Sequence, residues 1–130
     1  LLRPRHALFA LGDAASLPIG TERFNLAFMS FVLELMPTAE IATVLAEVMR
    51  VLQPGGRLVD VSLSRESPNF ATRIYEWGHK RLPHLLDCRP IYARRSLEAA
   101  GFEVVEAHRS SILGLPVEIV MGHKPAASSA

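Results

Sequence analysis

The chain has almost no cysteine. Cys88 stands alone, which excludes an internal disulfide and sets the expectation of a reducing, cytoplasmic location. It also has no excess of either charge. Its 14 Lys and Arg against 13 Asp and Glu leave a formal net charge of +1. The arginines are scattered apart from Arg94-Arg95, so no nucleic-acid footprint is expected. Long apolar runs are missing too. The longest, residues 26–33, stops at Glu34, far short of the roughly 20 residues that a membrane-spanning helix needs. Residues 1–9 carry charge throughout and show no signal-peptide core, and the chain opens at Leu1 rather than at a methionine. Finally, no Gly-x-Gly-x-x-Gly follows any candidate strand, which argues against a dinucleotide-binding dehydrogenase.

What is present is ordinary globular material. The chain has 130 residues, 49% of them apolar and 21% charged, enough for one domain with a core. Residues 7–11 read as a short buried strand ending at Gly12-Asp13, and residues 18–22 as a turn. Residues 23–31 are apolar with little alternation, as in a strand covered on both faces. Thr38 is placed to N-cap a helix over residues 39–52, with Ile41, Leu45, Val48 and Leu52 as its apolar stripe. Pro54-Gly55-Gly56 then reads as the stop of that helix, and residues 57–64 as a buried strand. This rhythm predicts a parallel α/β sheet.

The second half is expected to change texture. Ser67-Pro68 opens a helix through Phe70, Ile74 and Trp77, and residues 82–90 are loop-like. A helix over residues 91–100 is closed by Gly101. Two final strands, residues 102–108 and 117–122, are joined by residues 110–116, and their closeness predicts antiparallel neighbours. Residues 125–130 form a polar tail, expected to be disordered.

The loop after the first expected strand carries the clearest chemistry. In open α/β sheets, ligands gather beyond the carboxyl ends of the strands, where Gly12-Asp13-Ala14 would sit. A carboxylate there accepts a hydrogen bond from an exocyclic amino group, and a neighbouring backbone N–H donates to a ring nitrogen, which together read an adenine. The loop contains no Lys or Arg, which suits a ligand without phosphates. The plainer reading is a strand-ending turn, since Asp and Gly favour turns. Gly12 serves either turn geometry or close approach of a cofactor.

Leu11-Gly12-Asp13-Ala14-Ala15-Ser16-Leu17-Pro18, followed by Phe24-Asn25 and Arg50-Val51-Leu52-Gln53-Pro54-Gly55-Gly56, resembles the latter part of class I S-adenosylmethionine-dependent methyltransferases. The likeness is to the ubiquinone/menaquinone-biosynthesis type. Asn25 stands where that pattern has an acid and Gln53 where it has a lysine, so no role is carried onto Asn25. The resemblance implies a partial Rossmann-like methyltransferase sheet, mostly parallel with an antiparallel closing strand, whose N-terminal strands and glycine-rich loop would precede Leu1. It implies S-adenosyl-L-methionine as cofactor, with Asp13 and Ala14 reading the adenine and Leu17 beside its ring. The expectation is one partial domain over residues 1–124, inactive alone, transferring methyl groups to a small organic acceptor, aromatic or quinone-like.

Ser30, at the carboxyl end of the second strand, is expected to border the transfer point, as Phe31 is unless it belongs to the core. Residues 66–90 form the candidate lid, concentrating Tyr75, Trp77, His79, His84, Asp87, Cys88 and Arg89. Tyr75, His79 and His84 are the catalytic candidates; either imidazole would accept a phenolic proton near neutral pH. The alternative is that they coat a surface helix. His84, Asp87 and Cys88 have no second cluster at ligand spacing, so no metal is expected. His6, His108 and His123 read as structural or exposed. Asp60, inside an apolar strand, either faces the site or caps a neighbouring helix. Against the enzymatic reading stands a non-catalytic, partner-binding or regulatory α/β domain.

Overall fold

The computed structural model describes residues 6–64 and 91–127. In chain order the elements are β1 (Phe24–Ser30), a 3₁₀ turn (Leu33–Leu35), α1 (Thr38–Val51), β2 (Leu52–Leu63), α2 (Ala93–Ala99), β3 (Glu103–Ile112) and β4 (Leu115–His123). They form a four-stranded sheet in the order β1-β2-β4-β3. β1 and β2 run parallel, as the helical crossover between them requires. β4 returns antiparallel between β2 and β3, so the last strand in sequence is central in the sheet. Helices α1 and α2 cover one face. Their Ile41, Val44, Leu45, Val48, Ala93 and Leu97 share a core with Met29, Leu58 and Val120 of the strands.

Several expectations need correction. Residues 7–11 are neither strand nor buried: Leu8 is 97% and Leu11 101% exposed. A strand exists only through its ladder, and no described backbone pairs with this segment. β1 is likewise not covered on both faces. It is the edge strand, and Phe24, Leu26 and Phe28 are exposed on it. Thr38 is the first helical residue rather than the cap. Pro37 holds the cap position with no side-chain hydrogen bond, and its carbonyl accepts from the Glu40 N–H at 2.8 Å. The helix ends at Val51, one residue early, because Leu52 turns extended.

Pro54-Gly55-Gly56 lies inside β2 rather than beyond a helix. The register jumps there, from Phe24 opposite Leu52 to Leu26 opposite Arg57. Gly55 adopts φ +78, and a Cβ on Gly56 would sit 2.7 Å from the Gln53 carbonyl oxygen, so the bulge has room for glycine alone. Lys124 caps the end of α1. Its ammonium donates to the carbonyls of Met49 (2.9 Å) and Leu52 (2.8 Å), satisfying acceptors that a helix end leaves unpaired. Its backbone also pairs with Gly55 and Gly56. Lys124→Met, which keeps the apolar stem, is expected to cost about 1–3 kcal/mol, read as a shift in the urea midpoint at unchanged slope.

The final strands are antiparallel neighbours, as expected, but the link of residues 110–116 is shorter than the sequence suggested. Leu113 (φ 51) and Gly114 (φ 81) make a two-residue turn, and the strands run up to it on both sides. Two positive φ values give the turn whose twist matches the flanking strands. The helix expected over residues 91–100 is present as Ala93–Ala99 and stops before Gly101. The expected helix from Ser67 and loop of residues 82–90 lie outside the described residues.

Candidate cofactor and acceptor site

The carboxyl ends of the parallel pair define a rim. The loop of residues 12–20 lies beside β1 and the last turns of α1. Asp13 closes a tight turn: its Oδ1 accepts the Ala15 N–H at 2.8 Å and its carbonyl accepts the Ser16 N–H at 3.0 Å. The side chain itself is exposed. Gly12 is required by packing, since a Cβ there would lie 2.6 Å from Cδ of Pro18.

What fixes this loop is a pair on α1 that the sequence reading left as plain helix. Glu47 and Arg50, one turn apart, form two hydrogen bonds, Arg50 Nε to Oε1 at 2.7 Å and Nη2 to Oε2 at 2.8 Å. Glu47 Oε2 then accepts the Leu17 N–H at 2.8 Å, and Arg50 donates to the Leu17 carbonyl and to Thr21 Oγ1 at 3.3 Å each. The Arg50 hydrogen bonds, and then the Leu17 N–H, hold the Glu47 carboxyl down at about 2. The pair thus stays ionised wherever the fold exists, and its contribution is lost only as pH falls through that value. Glu47→Gln is expected to speed hydrogen exchange at the Leu17 amide at least tenfold while leaving the amides of β4 unchanged. Only the i, i+3 spacing of the two residues hints at it in sequence.

Held this way, Ala14 and Leu17 line an open apolar cavity of about 320 Å³ together with Ile19, Met29, Val32 and Val44. Asp13 stands at its side rather than on its wall. Ser30 ends β1 opposite Val61 with its side chain exposed. Phe31, next to it, takes φ 54 and donates its N–H to the Val61 carbonyl at 2.7 Å. A left-handed aromatic residue is uncommon and strained. It swings the ring against a second small core of Leu63, Leu115 and Val117, so Phe31 is packing.

On the helix-covered face the rim is acidic. Met29, Asp60 and Val120 stand opposite one another, and Ser62 pairs with Glu118. By strand alternation Leu58, Asp60, Ser62 and Ser64 therefore share that face. Asp60 and Ser62 are completely buried, and Glu34, from the 3₁₀ turn, is 2% exposed. Glu34 Oε1 accepts the Leu63 N–H at 3.0 Å, tying the loop after β1 to the end of β2. Its other oxygen, both Asp60 oxygens and the Ser62 and Ser64 hydroxyls make no hydrogen bond. Burial pushes the Asp60 carboxyl up to about 7. The nearby Ser62 hydroxyl opposes this without reaching bonding geometry, and the Glu34 and Glu118 carboxylates add to the rise. Burial also raises Glu34, against its backbone hydrogen bonds. Of the two alternatives for Asp60, it faces the rim's interior and caps no helix. Glu34 had no signal in sequence beyond interrupting an apolar run.

Tyr75, His79, His84 and the other lid residues lie outside the described residues. Among the described residues no group of three His, Cys, Asp or Glu is arranged to hold a metal ion, and no helix is long and apolar enough to cross a membrane. His6 and His108 are exposed, the latter 3.4 Å from Glu106.

Residues 2–60 match the methyltransferase-domain family. Over 78 residues the chain is 36% identical to the ubiquinone/menaquinone biosynthesis C-methyltransferase UbiE of Methylobacterium nodulans, a match that takes in 59% of this chain and 30% of that protein. The sheet superposes on an S-adenosylmethionine-dependent methyltransferase of Methanosarcina mazei with a TM-score of 0.70 at 17% identity, covering 91% of this chain and 67% of the other. The described sheet has the partial Rossmann-like fold of such methyltransferases. A second neighbour, the 1,6-didemethyltoxoflavin-N1-methyltransferase of Burkholderia thailandensis, was solved with S-adenosylhomocysteine bound. It gives a TM-score of 0.63 at 19% identity over 86% of this chain and 48% of its own. The chain thus spans 30% of the length of the curated methyltransferase it matches. The fold alone does not name the reaction, since the [4+2]-cyclase SpnF superposes equally well, at a TM-score of 0.68.

Proposed function

We propose that the chain serves S-adenosylmethionine-dependent methyl transfer to a small organic acceptor, aromatic or quinone-like. It contributes the adenine-reading loop and the acceptor side of the sheet. The observation that carries this reading is the clamped loop: Glu47 and Arg50 hold Leu17 so that Ala14 and Leu17 wall an apolar cavity that runs along β1. An adenine ring fits such a wall, with Asp13 beside it as acceptor for the exocyclic amino group. The cofactor supplies an electrophilic methyl group on a sulfonium. The chain's residues bind one edge of it, exclude water, and leave Ser30 next to the point of transfer.

The same structure supports weak binding by the chain alone. Among the described residues the far side of β1 is unpaired, and Phe24, Leu26 and Phe28, which line the cavity, are themselves exposed, so the site is open to solvent on that side. Titration calorimetry of the 130 residues with S-adenosylhomocysteine is expected to give a Kd well above micromolar. Micromolar binding would overturn that expectation. In a preparation that binds, Asp13→Ala is expected to weaken binding about tenfold, the worth of one hydrogen bond to a charged group; unchanged affinity would remove Asp13 from the site.

The exposed Phe24, Leu26 and Phe28 also favour a second reading, an α/β domain that docks a partner through its edge strand. Cofactor-dependent protection of the Leu17 amide separates the two, since partner docking alone leaves it indifferent to the cofactor.

A further inference from the structure

The acidic layer under the rim is not used by the reading above, and its chemistry is unusual. Five side-chain oxygens on Glu34, Asp60, Ser62 and Ser64 are buried without a hydrogen bond, whereas buried polar groups are nearly always paired. All but the hydroxyls can only accept, so the layer is short of protons rather than of acceptors. The groups facing Asp60 make this worse. The 3₁₀ turn brings Glu34 and β4 brings Glu118, both raising the cost of a charge on Asp60. β1 and the helices bring Met29, Leu45, Ala93 and Leu97, all apolar members of the same core. No cation among the described residues bonds to either Asp60 oxygen.

We propose that this layer is a proton-binding site: Asp60 takes up and releases one proton, and its charge state sets how firmly Glu34 holds the rim loop to the end of β2. The link is electrostatic. A carboxylate accepts a backbone N–H more strongly when it is ionised. Glu34 and Asp60 are both buried and near enough to repel, so they cannot both ionise cheaply, and they titrate as a coupled pair. With Asp60 neutral, Glu34 keeps its charge and its bond to the Leu63 N–H. With Asp60 ionised as well, the two buried carboxylates repel, Glu34 is pushed away from its partner and the tie slackens. The loop it ties starts at Ser30 and Phe31, so the proton is read out at the rim, whatever ligand the rim serves.

The test follows the labelled carboxyl carbons by NMR from about pH 4 to about pH 9, together with hydrogen exchange at the Leu63 amide. One aspartate is expected to titrate near neutrality and to vanish in Asp60→Asn. Through the same midpoint, Leu63 protection, corrected for the intrinsic pH dependence of exchange, is expected to fall about tenfold in the natural chain and to stay level in the variant. Glu34→Gln, which retains Asp60 and removes a like charge, is expected to move the aspartate midpoint down; it decides the matter even where Asp60→Asn fails to fold. All aspartates titrating below about pH 5, or Leu63 protection indifferent to the Asp60 midpoint, overturns the proposal.

Discussion

Raising the pH from about 4 to about 7 is expected to cost the fold up to roughly 4 kcal/mol of stability, and Asp60→Asn is expected to abolish most of that loss. The sign follows from the direction of the shift. The Asp60 carboxyl rises from 3.8 to about 7 on folding, so between those values the folded chain binds a proton that the unfolded chain has released. Stability from this group is therefore fully present below the unfolded value and is lost as pH climbs through the folded one. About three pH units at roughly 1.4 kcal/mol each give the figure, and relaxation around the ionised group makes it a ceiling. Glu47 works in the other direction and in another window. Its folded value near 2 makes its contribution complete above about pH 4.5 and absent at strongly acid pH. The two together place maximum stability near pH 4 to 5, lower than usual. Urea denaturation at several pH values measures this directly. A midpoint unchanged between pH 5 and pH 8 would contradict it, as would an Asp60→Asn protein with the same slope as the natural chain.

Such a group is nearly invisible in sequence, and the reason is physical. Asp60 was conspicuous only as a charge in an apolar strand; whether it faced the site or capped a neighbouring helix depended on which strands flank β2. That was settled by β4, which inserts between β2 and β3 and sets Val120 and Glu118 opposite Asp60 and Ser62. Local patterns carried the elements whose burial is decided along the chain. The stripe of Ile41, Leu45 and Val48, the apolar run of β1, and the Gly101 stop all appear close to their expected places. Patterns failed where a distant residue supplies the partner. Lys124 caps α1 from 72 and 75 residues away, and Glu47 anchors Leu17 across 30. Residues 7–11 fail for the converse reason. Their apolar character is that of a strand, but no described backbone completes the ladder, and hydrophobicity without a partner does not make a sheet.

The candidate site shows the same division. The Gly12-Asp13-Ala14 motif pointed to a loop in which Ala14 and Leu17, but not Gly12 or Asp13, line a cavity. What the motif did not convey is that Asp13 spends one oxygen on its own turn, and that the loop's position depends on a Glu–Arg pair in the following helix. A motif names the residues that would touch a ligand; the side chains that aim them belong to the tertiary structure.

Leu45→Ala is expected to be the most damaging simple truncation, at about 3–5 kcal/mol. Leu45 is completely buried, on the face of α1 that packs against the sheet. Removing its side chain loses transfer energy and opens a void that close-packed neighbours cannot fill. Val44, on the adjoining stripe, provides the internal comparison. It is 2% exposed but already borders the open cavity beside the loop, so Val44→Ala enlarges an existing space instead of creating one, and its cost is expected to be about 1–2 kcal/mol. Leu35→Ala, at a position 63% exposed, should fall within about 0.5 kcal/mol of the natural chain. Equilibrium urea denaturation at constant pH ranks the three. If Leu45→Ala proved no worse than Val44→Ala, α1 would be sliding to refill the void. The Leu17 clamp on Glu47 and Arg50 would then be displaced with it, a shift that exchange at the Leu17 amide would register.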